Sequence, residues 1–309
     1  MTSKSVTNEP ENWPSGRTGY VALLGRPNVG KSTMMNTLLD FHLAAVSQKP
    51  QTTRRNCLGI LTDEISQILF LDAPGVHVAQ DELDQAMDRC IKRALEDADL
   101  IVCIADSSRS FGKEDRLVAR RVAQAEAPVI LAVNKVDAAG PGGVDAIQSA
   151  YLDVLGDVPV FRVCARSAQS LEMLLGAIRN GLPEGPFLHD PEALTDSYER
   201  EIASELIREA LMEALREEVP HAMAVTVDQW KESEKACRIT ATLHVERESQ
   251  KGIVIGRGGT MLNSIRAASV RKLREIRDDN VRLKLYVRVT PDWRSRKNIL
   301  RDFGLDGSA

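Results

Sequence analysis

The sequence predicts a doubly wound α/β domain with a mixed, mainly parallel sheet, followed by a smaller α+β domain. Three observations carry this. A glycine loop, Gly25-Arg26-Pro27-Asn28-Val29-Gly30-Lys31-Ser32, lies between an apolar run at 20–24 and an amphipathic one through Met34, Met35, Leu38 and Leu39. Continuously apolar segments at 100–105 and 128–133 flank a stretch with helical spacing, as strands buried on both faces do. A Pro/Gly-rich stretch at 181–196 then precedes a second set of helices and strands.

At 309 residues the chain is long enough for two cores. No apolar run approaches the roughly 18 residues that a membrane span requires. The polar opening holds Pro10, Pro14 and Gly16 without an apolar centre, so it reads as a disordered tail rather than a signal peptide. Cys57, Cys90, Cys103, Cys164 and Cys237 are odd in number and never spaced as CxxC, which points to reduced thiols in a cytoplasmic protein and away from zinc. The net charge of −4 conceals an asymmetry: residues 251–309 carry 14 Lys and Arg against 6 Asp and Glu, the remainder 26 against 38. A basic last fifth suits a polyanionic partner at that end only.

The glycine loop has the strand–loop–helix context of a phosphate cradle. Its backbone N–H groups converge on one phosphate, and the helix opening at Lys31, Ser32 and Thr33 adds its positive dipole end. Lys31 reaches terminal phosphates, and the Ser32 hydroxyl can ligate magnesium. Strands follow at 56–61 and 65–71 as a hairpin, then a helix at 114–125, a strand at 158–163 and a helix at 170–178. A sheet of this kind binds ligand at its strand C-termini. There Asp72-Ala73-Pro74-Gly75 supplies a metal-holding carboxylate and a glycine N–H for a γ-phosphate. Asn134-Lys135-Val136-Asp137 supplies a carboxylate that accepts from N1 and N2 of guanine, a pairing adenine lacks.

The order GRPNVGKS, DAPG, NKVD resembles the translation-factor-related P-loop GTPases, and Gln51-Thr52-Thr53-Arg54 is similar to the QTTR of their Era-type members. The resemblance implies a GTPase in which Lys31, Thr53, Gly75 and Asn28 serve catalysis. It implies Mg2+ held by Ser32, Asp72 and Thr53, with Thr52 the alternative, and a K+ ion at Asn28. The family's base-contacting Ser-Ala pair maps onto Cys164-Ala165-Arg166 or onto Ser167-Ala168; strand-end placement favours Ala165. Val76 stands where many small GTPases carry a water-orienting glutamine, so slow intrinsic hydrolysis is expected. His77 reads as a solvated loop histidine with no catalytic part.

After the linker, residues 198–216 form a strongly amphipathic helix ended by Val219-Pro220, and 222–227, 237–245 and 281–289 read as strands. Between the last two lies Gly256-Arg257-Gly258-Gly259, with apolar residues before it and helical spacing after it. The set resembles a type II KH domain, whose GxxG loop brings single-stranded RNA phosphates to a helix start. Arg257 adds charge, and Ile253, Val254, Ile255, Leu262 and Ile265 form the expected apolar groove for bases. The expected boundaries are a tail at 1–18, a GTPase domain at 19–182, a linker at 183–197 and the KH domain at 198–309.

A QTTR GTPase followed by a type II KH domain is the arrangement of Era-type GTPases. That resemblance implies a GTP/GDP switch, a monomer, that binds small-subunit (16S) ribosomal RNA near its 3′ end and acts in 30S subunit assembly. It also implies a cytoplasmic location with peripheral association at the cell membrane. A GTPase of RNA modification is one rival, which needs a further catalytic domain. A non-enzymatic RNA-binding scaffold is the other, against which the intact Lys31, Ser32, Asp72 and Asp137 speak.

Overall fold

The computed structural model describes residues 13–307 except 48, 50, 216–218, 234–235 and 278–279. The first half runs β1 (Ser15–Leu24), α1 (Lys31–Leu39), β2 (Cys57–Thr62), β3 (Ser66–Asp72), α2 (Glu82–Asp97), β4 (Leu100–Asp106), α3 (Lys113–Val122), β5 (Val129–Asn134), α4 (Gly143–Leu155), β6 (Val160–Arg162), α5 (Ala168–Gly181) and β7 (Glu184–Pro186). Its sheet has the order β2-β3-β1-β4-β5-β6, parallel from β3 to β6, with β2 antiparallel at the edge. Strand β4 shows why the sheet is doubly covered: all seven of its residues are buried. Leu100, Val102 and Ile104 pack under α1 and α5, while Ile101, Cys103 and Ala105 meet α2, α3 and α4 on the other face.

Two expected boundaries move. Strand β1 starts at Ser15, so residues 15–18 belong to the sheet and not to the tail; residues 1–12 lie outside the described residues. Strand β7, placed in the expected linker, pairs antiparallel with β1 from Ser15 to Arg17. The rest of that segment is fastened to the sheet's edge: Gln67 Oε1 accepts from Leu188 and His189 N–H at 2.7 and 2.9 Å, and Ile60 N–H donates to Leu194 O at 2.8 Å. Backbone pairing needs no apolar pattern, which is why composition reads these stretches as loop.

The second half runs α6 (Glu199–Ala214), β8 (Ala224–Ser233), β9 (Ala236–Val245), α7 (Glu248–Ile255), α8 (Thr260–Glu275), β10 (Asn280–Val289) and α9 (Lys297–Asp302). β9 is central, antiparallel to β8 and parallel to β10, with a bulge between Val227 and Gln229. Helices α6, α7 and α8 cover one face through Leu206, Ile207, Leu211, Val254, Ile265 and Leu273. Val254 and Ile265 are therefore fully buried and cannot line an RNA groove. Their helical spacing is that of core packing, which sequence alone does not separate from a binding stripe.

The halves are joined beyond the linker. Trp293 is fully buried among Leu83 and Met87 of α2 and Leu300 of α9, and its Nε1–H donates to Ala222 O at 3.0 Å. Among the described residues no helix is long and apolar enough to cross a membrane. Trp293→Ala should lower stability by about 3–5 kcal/mol in chemical denaturation, the cost of emptying a large buried site; a loss under about 1 kcal/mol would mean the junction carries little of the fold.

Candidate nucleotide-binding site

The C-terminal ends of β1, β3, β4 and β5 surround a cavity of about 730 Å3. It is lined by Pro27, Asn28, Gly30, Lys31, Ser32 and Thr33, by Gln51 to Thr53, by Gly75, by Asn134, Lys135 and Asp137, and by Cys164 to Arg166. Most residues singled out in the sequence thus meet at one place. Gly25, Arg26, Val29, Asp72, Ala73 and Pro74 stand behind the wall and shape it. A side chain on Gly30, which has φ +103°, would lie 2.5 Å from Asn134 Nδ2, so only glycine fits there. Arg26 does not point at the cavity as expected: its guanidinium is buried against Asp106 and Asp115, each at 3.1 Å. A cation held by two buried carboxylates is a brace, not a ligand contact.

Asp72 is fully buried. Its Oδ2 accepts from Ser32 Oγ at 2.5 Å and from Thr53 Oγ1 at 3.4 Å, and the two hydroxyls lie 3.1 Å apart. Oδ1 is buried with no hydrogen-bond partner among the described residues. Burial pushes the Asp72 carboxyl up, against the pull of Lys31 and of the two hydroxyls; burial likewise pulls the Lys31 ammonium down. Three oxygens this close, one carboxylate among them and one of its atoms unsatisfied, fit a hard cation that shares its shell with phosphates. Thr52 is elsewhere, its Oγ1 donating to Lys49 O at 2.8 Å, so of the two threonines it is Thr53 that stands beside Ser32 and Asp72.

At the other end of the cavity Asn134 ties three loops together. Its Nδ2 donates to Val29 O at 2.7 Å and its Oδ1 accepts from Ala165 N–H at 2.8 Å. Lys135 donates to Asn28 O at 2.7 Å and to Asp106 at 2.8 Å. Asp137 is exposed on a short turn, its carboxylate without a hydrogen bond among the described residues. Ala165 N–H serves Asn134 and Cys164 N–H serves Ser170 Oγ at 2.8 Å, while Arg166 N–H has no acceptor among the described residues. Of the expected base-side residues Cys164, Ala165 and Arg166, the first two therefore have their N–H groups engaged within the protein. In the Ser167-Ala168 alternative, Ser167 caps α5 through its hydroxyl and its N–H donates to Cys164 O at 2.9 Å.

Sequence reasoning missed the partners of the Gln51–Arg55 loop. Arg54 is buried, donates to Met223 O at 2.6 Å and lies 5.5 Å from the Trp293 ring centre. Burial and the neighbouring Arg208 lower its pKa to about 9. Arg208 of α6 donates to Thr52 O, Lys49 donates to the carbonyls of Met212 and Leu215, and Arg55 pairs with Glu201 at 2.9 Å. Met212 and Glu213 of α6 reach the cavity wall itself. The only sequence signal for these contacts is a run of cations in a loop, which a solvated surface produces equally well. His77 is also corrected. It is not solvated: Nδ1 meets Gly75 O at 2.8 Å and Nε2 meets Asp84 Oδ1 at 2.9 Å.

The glycine loop between α7 and α8 bends through positive φ at Gly256, Gly258 and Gly259. A side chain on Gly258 would meet open space, so the backbone there is approachable. Arg257 and Ile253 are exposed, Ile255 and Leu262 half-buried. These four and the glycines are what remains of the expected groove.

A family profile described as "50S ribosome-binding GTPase" matches residues 20–135, and one described as "KH domain" matches residues 218–294. The GTPase Era of Lacticaseibacillus paracasei is 40% identical over 287 residues, covering 93% of this chain and 96% of its own length. That of Synechocystis is 36% identical over 98% of this chain and 97% of its own. An Aquifex aeolicus Era variant solved with GDP and AlF4− superposes with a TM-score of 0.88 at 33% identity, covering 94% of this chain and 99% of its own. An Era structure holding MgGDPNP and nucleotides 1506–1542 of 16S ribosomal RNA gives 0.90 at 33% identity and the same coverage.

Both His77 nitrogens face acceptors, and the hydrogen bond to Asp84 holds its pKa above the ordinary histidine value. The stability it contributes is therefore complete below that ordinary value and is lost as pH rises through the raised one. His77→Ala should destabilise the protein more at pH 6 than at pH 9 in urea titrations, and an equal effect at both would refute the pairing.

Proposed function

The chain belongs to the Era family of GTPases, and from that premise we infer a GTP-hydrolysing switch that binds small-subunit ribosomal RNA and acts in 30S subunit assembly. The observation that carries the switch is the oxygen cluster of Ser32, Thr53 and Asp72, with Asp72 Oδ1 unsatisfied, at the mouth of a braced phosphate loop. Backbone N–H groups of residues 28–33 hold the phosphates, Lys31 neutralises their terminal charge, and Gly75 N–H meets the γ-phosphate. Asp137 accepts from the guanine N1 and N2 groups, and Arg166 N–H donates to the base oxygen. Magnesium, held by Ser32, Thr53 and Asp72, supplies charge neutralisation at the phosphates when bound. Asn28, on the cavity wall, is the residue to hold a potassium ion. Val76 is buried in the core and orients no water, so intrinsic hydrolysis is slow.

RNA binding rests on the open backbone at Gly258 beside Arg257, in the KH position, and on the RNA seen with the similar Era structure. The strand would run over Ile253, Ile255 and Leu262. The nucleotide state reaches this domain through Gln51–Arg55: capture of Thr53 fixes the loop whose next residue is buried in the second half. Coupling is reciprocal, so bound RNA must act back on the nucleotide site. The protein works as a monomer in the cytoplasm, with peripheral contact at the membrane.

Asp137→Asn places a donor opposite the guanine N1–H. It should weaken GDP binding about 100-fold or more in calorimetry while favouring the xanthine nucleotide. Wild-type protein that binds ATP as tightly as GDP would overturn the assignment. In steady-state hydrolysis, RNA spanning the 16S 3′ end should change the rate, Gly258→Asp should abolish that response alone, and sodium in place of potassium should slow turnover. Unchanged rates in all three arms would sink coupling and cation together.

A further inference from the structure

The three-stranded sheet of the second half has one face packed under α6, α7 and α8, and among the described residues its other face is covered at one end only. There α9 meets it, with Phe303 4.3 Å from the His244 ring and Ala224 in the same cluster as Leu300. Away from α9 the outward residues stand in cross-strand rows fixed by the register. One row is Lys231, Arg238 and Arg282; the next is Gln229, Thr240 and Lys284; the next is Thr226, Thr242 and Tyr286. The cations of these rows are exposed, and Tyr286 is 47% exposed with Lys284 Nζ 4.8 Å from its ring centre.

A row of three cations on directly paired positions of adjacent strands is unfavourable by itself. Among the described residues none of Lys231, Arg238, Arg282 or Lys284 has a carboxylate within ion-pair distance. Among the described residues the acidic side chain on this face, Asp228 at the bulge, is engaged by the hydroxyls of Thr226 and Thr242 at 3.0 and 2.6 Å. Repulsion among these cations is relieved by a polyanion laid across the rows. A lipid surface would call for bulky apolar side chains to insert; this face instead offers threonine, glutamine and one aromatic ring, which suit phosphates and an unstacked base.

We propose that this open sheet face, centred on Arg238, Arg282, Lys284 and Tyr286, is a second RNA-docking surface that takes the phosphodiester backbone of a segment distinct from the one at Gly256–Gly259. The helices carrying that loop lie on the opposite side of the sheet, so one short strand cannot occupy both surfaces. The proposal rests on the RNA-binding reading above and extends it: the same domain grips ribosomal RNA at two places, one by glycine backbone and one by charge.

The test compares the full chain with the triple variant Arg238→Gln, Arg282→Gln, Lys284→Gln in filter binding over a series of KCl concentrations. The probes are intact small-subunit ribosomal RNA, a single strand too short to span both surfaces, and phosphatidylserine vesicles. The variant should bind intact RNA about tenfold more weakly, with a salt slope shallower by about 2 to 3, and bind the short strand as wild type does. Its melting temperature should not fall, because the substitutions remove like-charge repulsion. Wild-type affinity and slope for intact RNA would overturn the proposal, as would loss of vesicle binding with RNA binding intact. If wild-type protein fails to bind the short strand, or binds it equally with Gly258→Asp, the glycine-loop reading fails separately.

Discussion

Two consecutive residues of the Gln51–Arg55 loop send their side chains to different parts of the molecule, and the whole structure turns on that pair. Thr53 aims into the oxygen cluster with Ser32 and Asp72, while Arg54 is buried against Trp293 and the Met223 carbonyl. Neither residue can shift by more than a fraction of its own length without dragging the other. The next contacts repeat the pattern: Thr52 O is held by Arg208, and Arg55 by Glu201, both on α6. A phosphate-sensing loop and the packing of an RNA-binding domain are therefore one mechanical object. Arg54 makes it costly to disturb, since a buried guanidinium that loses its acceptor keeps its charge.

The nucleotide end depends on pre-organisation. Arg26, Asp106, Asp115, Lys135 and the Tyr151 hydroxyl form one buried polar network beneath the phosphate loop, Tyr151 donating to Asp115 at 2.9 Å. Asn134 then links that loop to the base-side loop. With these two loops already braced, nucleotide binding imposes little ordering on them, and binding free energy is available for discrimination.

How much of this was legible in the sequence divides by range. The phosphate loop, Asp72 and the Asn134–Asp137 turn were readable because their chemistry is local: a glycine turn after a strand has few uses, and each residue acts through its own backbone neighbourhood. The hairpin of β2 and β3 was legible for the same reason. Arg54 stood in plain view as part of a motif, yet its partners lie more than 160 residues away and leave no periodic trace. Val254 and Ile265 misled because core packing and a base-binding groove demand the same spacing. That Ala165 N–H is engaged by Asn134 was not legible either, because only the fold brings those two residues together. Helix α2 was not read at all: its strongly polar face outweighed the Leu83, Met87, Cys90 and Ile91 stripe.

The pairing of β7 with β1 bears on how separable the two halves are. Residues 184–186 come after the last helix of the α/β half, yet they close the opening turn of its first strand. The chain thus buckles its own beginning with the strap that leads away from it. A nucleotide-binding half severed just after α5 would present the bare N–H and C=O row of residues 15–17 as a template for another chain. Modularity here is a property of function and not of the polymer: the domains can be told apart by what they hold, but the cut between them belongs after the strap, near the start of α6.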